Sequence, residues 1–215
     1  MLKIYGIAMS RANRVLWMAR ELGLEFEHLQ VSFLDGSNRS SDYLAINPNG
    51  RIPAIEDDGK PLFESMAINI YLARKHGSIL APQSLMEDAL VTQWSFWALT
   101  ELERRLMEVM VHSTVFREED RDPDVVTIEL EKLKRPLAVL EQHLGQHGWL
   151  VGDRFTVADL NVASVLVMSR LANMDLSDYP SLSCWLDKCL SRPLCEWETQ
   201  RLPSGLPKPD DWEHR

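Results

Sequence analysis

Leu2 and Ile4 alternate with Lys3 and Tyr5, the period-two pattern of a short strand. From Arg11 to Leu22 the apolar positions Ala12, Val15, Leu16, Ala19 and Leu22 recur at helical spacing and stop before Gly23. Phe26 to Phe33 reads as a second strand, so the chain opens with a β-α-β unit, whose parallel strands require a helical crossover. After a polar stretch, Ala54-Ile55-Glu56 and Pro61-Leu62-Phe63 flank Asp58-Gly59, a hairpin turn signal, and a helix runs from Ser65 to His76-Gly77. Beyond Ala81-Pro82 the pattern is helical throughout. Met86 to about Arg117 predicts one long helix, and Asp124 to His143 another with Pro136 as a kink. A third begins at Thr156-Val-Ala-Asp159, which has the form of a capping box, and a fourth follows Tyr179-Pro180 and stops near Arg192-Pro193. From Pro203 the chain is proline-rich and polar and reads as an extended surface tail. This predicts an α/β domain over residues 1–78, an all-α domain over 86–200 and a tail over 201–215.

Composition adds constraints. The 215 residues are 45 % apolar and 26 % charged, which is ordinary globular chemistry and excludes disorder and repeat arrays. The formal charge is -9. Residues 1–78 carry nine basic and nine acidic side chains, so the whole acidic excess lies on the helical half. Nucleic acid is therefore not an expected partner, because phosphate binding needs a basic stripe. The longest apolar run, Val162 to Met168, falls far short of the roughly 20 residues that a bilayer requires, and no secretory leader is visible. No membrane association is expected, and the location expected is cytoplasmic. The three cysteines, at 184, 189 and 195, come late in the chain, so the first helix cannot run a thiol–disulfide cycle of its own. They fit no zinc spacing, and His143 with His147 lacks a third ligand, so no metal is expected.

Three places can carry chemistry. In Asn47-Pro-Asn-Gly-Arg-Ile-Pro53, a proline leads directly into a strand. It reads either as a loop turn or as a cis peptide that turns the Ile52 N–H and C=O outward for an extended, peptide-like ligand. Glu64-Ser65 stands at a helix start, where Ser65 is either an N-cap or part of a carboxylate site. Ser10 lies between the first strand and first helix, where a hydroxyl backed by the helix dipole can stabilise a thiolate, and Tyr5 is the rival donor.

The order Tyr5…Ser10-x-x-x-Arg14-Val15, then Asn47 to Pro53, then Glu64-Ser65-x-Ala67-Ile68, resembles the thioredoxin-like domain of the cytosolic glutathione S-transferases. The second half agrees: Gly152-Asp153-Arg154-Phe155-Thr156-Val-Ala-Asp159 resembles that family's capping box, and Tyr179-Pro180…Trp185…Arg192-Pro193 its penultimate helix. The resemblance is to the bacterial, serine-type kind and covers residues 1 to 200. It implies a thioredoxin-like amino-terminal domain followed by an all-helical domain, and conjugation of glutathione to small hydrophobic electrophiles in detoxification. Glutathione is then a co-substrate and no cofactor is needed. By the same resemblance Ser10 holds the sulfur, with Tyr5 as alternative. The Ile52 backbone before Pro53 pairs with the cysteinyl part, Glu64 and Ser65 hold the γ-glutamyl end, and Arg51 reaches the glycyl carboxylate. Arg11 and Arg14 are expected near the anionic ligand. Candidate walls for the co-substrate are Ile7, Met9, Met110 and Phe116. A homodimer is implied, with Met66 to Arg74 facing the partner's long helix. A glutathione-dependent disulfide reductase or peroxidase, or a binding scaffold without turnover, are the alternatives.

Overall fold

A computed structural model describes residues 1–209. Strands β1 (Leu2–Tyr5) and β2 (Phe26–Leu29) pair in parallel across helix α1 (Ala12–Glu21), as the alternation and the helical stripe require. Strands β3 (Ala54–Asp57) and β4 (Lys60–Phe63) form the hairpin, and Asp58 and Gly59 both have φ > 0, the conformation of a two-residue type I′ turn. The sheet order is β2-β1-β3-β4, with β1 antiparallel to β3. Ile4 and Ile55, opposite each other in that register, are fully buried together with Val15 and Leu16 of α1 and Ile68 and Leu72 of α3 (Ser65–His76).

Two expectations for this half change. β2 ends at Leu29 rather than Phe33, because side chains take over the main-chain donors that follow it. Ser37 Oγ accepts from the Ser32 N–H at 2.8 Å, Ser32 Oγ from the Leu34 N–H at 3.0 Å, and Asp35 from the Ser37 N–H at 2.9 Å. The polar stretch after it holds a further short helix, α2 (Ser41–Ile46), capped by Ser40.

The second half begins with α4 (Leu85–Trp97), which continues through a π turn into α5 (Arg104–Met110) and a second π turn ending at Val115. This is the predicted long helix. The next, α6 (Pro123–His147), runs through Pro136 and extends four residues past the predicted end. α7 (Val157–Leu171) is the axis of the helical core: its residues from Val157 to Ser169 are all buried. A helix enclosed on all sides has no water to satisfy its first N–H groups. The Leu80 carbonyl accepts from the Val157 N–H at 3.0 Å and Thr156 Oγ1 from the Ala158 N–H at 3.3 Å, while Asp159 accepts from the N-cap Thr156 N–H at 2.9 Å, the Leu150 N–H at 3.0 Å and Trp185 Nε1 of α8 (Pro180–Leu190) at 2.9 Å. Losing such a cap costs about 1–2 kcal/mol, so Thr156 and Asp159 belong to folding.

Residues 201–209 contain no helix or extended strand. Leu206 pairs with Phe116 in a single parallel bridge. The rest of the predicted tail, residues 210–215, lies outside the described residues. None of the described helices is long and apolar enough to cross a membrane.

Candidate functional site

The turn between β1 and α1 starts at Gly6, whose φ of +135° is open to glycine and rarely to other residues. Space is equally restrictive: a Cβ on Gly6 would lie 2.7 Å from the Ala12 Cβ and 3.3 Å from the Ile52 Cβ. The absent side chain lets the strand end, the start of α1 and the loop before β3 meet at one point.

Ser10 is half-buried in this turn. Its Oγ accepts the Ala12 N–H at 3.1 Å and its hydroxyl donates to the Ile7 carbonyl at 2.7 Å. The hydroxyl proton is therefore held by a neutral acceptor, and the oxygen by a helix N–H. A thiolate arriving here would compete for that proton with the advantage of charge, since charge-assisted hydrogen bonds are about twice as strong as neutral ones. Tyr5 is differently committed. Its hydroxyl donates to Glu56 of β3, its ring packs 5.9 Å from that of Tyr43 on α2, and burial together with Glu56 pushes its pKa up.

The loop from Asn47 to Pro53 is fixed from three sides. The Arg51 carbonyl accepts from Tyr43 Oη and from Asn47 Nδ2, each at 2.6 Å, and the Gly50 carbonyl accepts from Asn38 Nδ2 at 2.7 Å. The Ile52–Pro53 peptide is cis. Among the described residues the Ile52 main chain has no hydrogen-bond partner, so a donor and an acceptor stand free beside Gly6. Arg51 is exposed, and Arg39 reaches the Asn49 carbonyl at 3.3 Å from the neighbouring turn. Two guanidiniums thus border one end of the loop.

Glu64 occupies the N-cap position of α3 with φ 72° and ψ 109°, a conformation that a non-glycine residue holds only when its surroundings impose it. The reading of Ser65 as an N-cap is overturned: Ser65 is the first helical residue, and its Oγ accepts from Arg14 Nη1 at 3.4 Å. Arg14 lies in α1 four residues after Ser10, so the helix that the Ser10 turn leads into reaches the start of α3.

The expectation that Arg11 and Arg14 are available to an anionic ligand is also revised. Both are paired with Glu103 of the long helix: Arg11 Nε on Oε1, and Arg14 Nη1 on Oε2 at 3.1 Å. Glu103 and Arg14 are 5 % and 3 % exposed, so this is an ion pair inside the protein, and it crosses from the first half of the chain to the second. Burial alone would push the Glu103 carboxyl up, but the two guanidiniums outweigh it and hold it at about 2. Reading the sequence missed Glu103, Arg39 and Asn38. The signal for Glu103 was Arg14 itself, a charge set among Ala12, Val15 and Leu16 on an apolar helix, which needs an opposite charge from elsewhere.

Ile7 and Met9 are half-buried in the Ser10 turn and have surface to offer a second ligand. Met110 and Phe116 are 4 % and 3 % exposed. Both pack into the helical core. Cys189 and Cys195 are buried, and burial pushes both thiols up, Cys195 to about 12. Among the described residues no group of three or more His, Cys, Asp or Glu is placed to hold a metal ion.

Two family models match the chain: the amino-terminal domain of glutathione S-transferase over residues 1–74 and the carboxy-terminal domain over 105–193. Glutathione S-transferase 3 of Zea mays is 33 % identical, with 97 % of this chain and 96 % of that protein covered. Among solved structures, the theta class enzyme of Xanthomonas axonopodis pv. citri with glutathione bound superposes with a TM-score of 0.85 at 28 % identity, covering 91 % of this chain and 95 % of that one. Glutathione S-transferase-I bound with lactoylglutathione gives 0.81 at 30 % identity, covering 93 % and 98 %. Similar proteins thus come from plants and bacteria alike. The chain belongs to the cytosolic glutathione S-transferase family. It is a glutathione transferase, with a thioredoxin-like domain followed by an all-helical one.

The Glu103 cluster has a pH signature. A carboxyl held near 2 in the folded protein, against an ordinary 4.5, contributes stability that is complete above the ordinary value and is lost as pH falls through about 2. The unfolding free energy of the wild type minus that of Glu103→Gln should therefore be constant above pH 4.5 and shrink between there and about 2. Urea titrations at a series of pH values measure it, and two curves that stay parallel down to pH 2 would refute the buried ion pair.

Proposed function

We propose that the enzyme joins the sulfur of glutathione to small hydrophobic electrophiles and that the Ser10 hydroxyl holds the attacking thiolate. The observation that carries this reading is the Ser10 hydroxyl, anchored by the Ala12 N–H and directed to a neutral carbonyl that a thiolate can displace. Tyr5, held by Glu56, is the weaker candidate. In this reading residues 1–78 bind glutathione and residues 86–200 supply the far side of the cleft. The free Ile52 main chain, before Pro53, pairs with the cysteinyl part. The exposed Glu64 carboxylate takes the γ-glutamyl ammonium, and Ser65, with Arg14 behind it, takes the carboxylate. Arg51 and Arg39 flank the glycyl carboxylate. Arg14 is a positioning residue, because it acts through Ser65.

Thiolate formation alone contributes little to the rate. Lowering the thiol from about 8.5 to about 6.5 raises the thiolate fraction at pH 7 from about 3 % to about 75 %. Nucleophilicity falls with pKa at a slope of about 0.4–0.5, which removes most of that roughly 25-fold gain. The larger part of the acceleration comes from holding sulfur and electrophile together, so the apolar groups around the Ser10 turn, Ile7 and Met9 among them, share in catalysis.

The same reading makes the enzyme a homodimer. Ala67 and Tyr71 on the outer side of α3, and Phe96 and Leu99 along the long helix, are exposed; Phe96 is 65 % exposed. They offer apolar surface to a second copy. A monomeric mass in sedimentation equilibrium at micromolar concentration would remove this part of the proposal. Three cysteines without disulfides fit a reducing cytoplasm.

The wild type should be retained on immobilised glutathione and should conjugate a nitroaryl chloride. Ser10→Ala should raise the pKa of the bound thiol and lower kcat at pH 7 by about three- to fourfold, while Tyr5→Phe leaves both near the wild type. If Ser10→Ala leaves turnover and the bound thiol unchanged, the assignment to serine is wrong. Failure of the wild type to bind glutathione in calorimetry would point to a scaffold instead.

A further inference from the structure

The Arg51 carbonyl is saturated. Tyr43 Oη and Asn47 Nδ2 both donate to it at 2.6 Å, and a carbonyl oxygen has two lone pairs to give. Both donors come from one short stretch, Tyr43 from α2 and Asn47 from the residue that ends it, and they are 3 % and 2 % exposed. Each donor is itself held in place. The Tyr43 N–H donates to the capping Ser40 Oγ at 3.3 Å, and its ring packs against Tyr5, whose hydroxyl is committed to Glu56. Asn47 Oδ1 accepts the Asn49 N–H at 3.1 Å. Burial pushes the Tyr43 pKa up to about 12, so its hydroxyl keeps its proton and remains a donor across the neutral range.

The other end of the same peptide is the Ile52 N–H. Among the described residues the cis peptide is the next one, Ile52–Pro53, so the Arg51–Ile52 unit is trans, and in a planar trans unit the C=O and N–H point in opposite directions. Two bonds that draw the carbonyl toward α2 therefore turn the Ile52 N–H away from α2. That N–H has no partner among the described residues, and Ile52 lies beside Gly6, four residues before Ser10. A carbonyl that accepts two hydrogen bonds also polarises its amide, which makes the N–H a stronger donor.

We propose that Tyr43 is a positioning residue for glutathione: with Asn47 it clamps the Arg51 carbonyl, so that the Ile52 N–H is held rigid and polarised toward the carbonyl of the cysteinyl part. The proposal rests on the conjugation reading above and deepens it by giving a buried tyrosine of α2 control over affinity at the cleft. The cysteinyl main chain does not change while its sulfur attacks, so this hydrogen bond is the same in the ground state and the transition state. Tyr43 therefore governs the binding of glutathione and not the turnover of the bound complex.

Tyr43→Phe tests it in the full-length enzyme, because it removes the hydroxyl and keeps the ring against Tyr5. Asn47 retains one of the two bonds, so the Kd for glutathione by calorimetry should rise about threefold, part of the worth of one neutral hydrogen bond. The kcat at saturating glutathione and the KM for a nitroaryl chloride should stay within about twofold of the wild type. A Kd equal to that of the wild type overturns the proposal. So does a fall in kcat as large as the rise in Kd, the mark of a general loosening of the site. A second measurement needs no ligand: 15N relaxation of the Ile52 amide in the free enzyme should give an order parameter of about 0.85 in the wild type, the value of rigid backbone, and a lower one in Tyr43→Phe. Equal order parameters in the two proteins overturn the clamp. If the wild type binds no glutathione, the conjugation reading has failed, and the relaxation measurement alone decides whether Tyr43 holds the Ile52 N–H.

Discussion

One buried carboxylate organises the region between the two domains. Glu103 comes from the long helix of the second domain and receives two guanidiniums from α1 of the first. Removing Glu103 alone would strand the Arg14 charge in the interior, a change that costs about 3–5 kcal/mol in proteins generally. The relative placement of α1 and the long helix is therefore restricted by charge as well as by apolar packing. A pair of well-fitted apolar side chains could join the domains with equal or greater stability. What such side chains would lack is the hydrogen bond that Arg14 extends to Ser65. The charge thus connects the domain junction to the start of α3.

The rest of the site is assembled around the same helix. Gly6 lets the end of β1 approach Ile52, Ser10 opens the turn into α1, and Arg14 reaches Ser65 one turn later. Four stretches of sequence, far apart along the chain, converge on the first two turns of α1. Its other side is held as firmly: Glu21 receives Arg192 in two hydrogen bonds of 2.6 Å and Trp17 Nε1 at 3.0 Å, while the Arg192 guanidinium lies 4.1 Å above the Phe155 ring. With the helix fixed on both sides, only the Ser10 hydroxyl proton has to turn from the Ile7 carbonyl toward an arriving charge, and a dipole stabilises charge most effectively where little else reorganises.

Much of this was legible in the sequence, because periodicity and turn chemistry are local. The β1 alternation, the Asp58-Gly59 turn and the long apolar helices all formed where their patterns placed them. The reading failed where a second segment decided the outcome. Phe26 to Phe33 has the composition of a strand, yet the Ser37 side chain claims the Ser32 N–H near its end. Arg11 and Arg14 read as charges available to a ligand because their partner lies about ninety residues away. The site motifs were recognisable by their order, but Arg39 and Asn38 carried no local pattern and emerged only once the loop containing Gly50 folded against them.

The central claim is that the Arg14–Glu103 pair serves the glutathione site through Ser65, beyond its part in joining the domains. Comparing Arg14→Met, Glu103→Leu and the double variant separates the two roles, with unfolding free energy measured in urea and glutathione affinity by calorimetry. The double variant should recover stability relative to Glu103→Leu, because Arg14 is no longer buried without a partner, while its affinity for glutathione stays about tenfold or more below that of the wild type. A double variant that binds glutathione as tightly as the wild type would contradict the account and leave the pair a purely structural device.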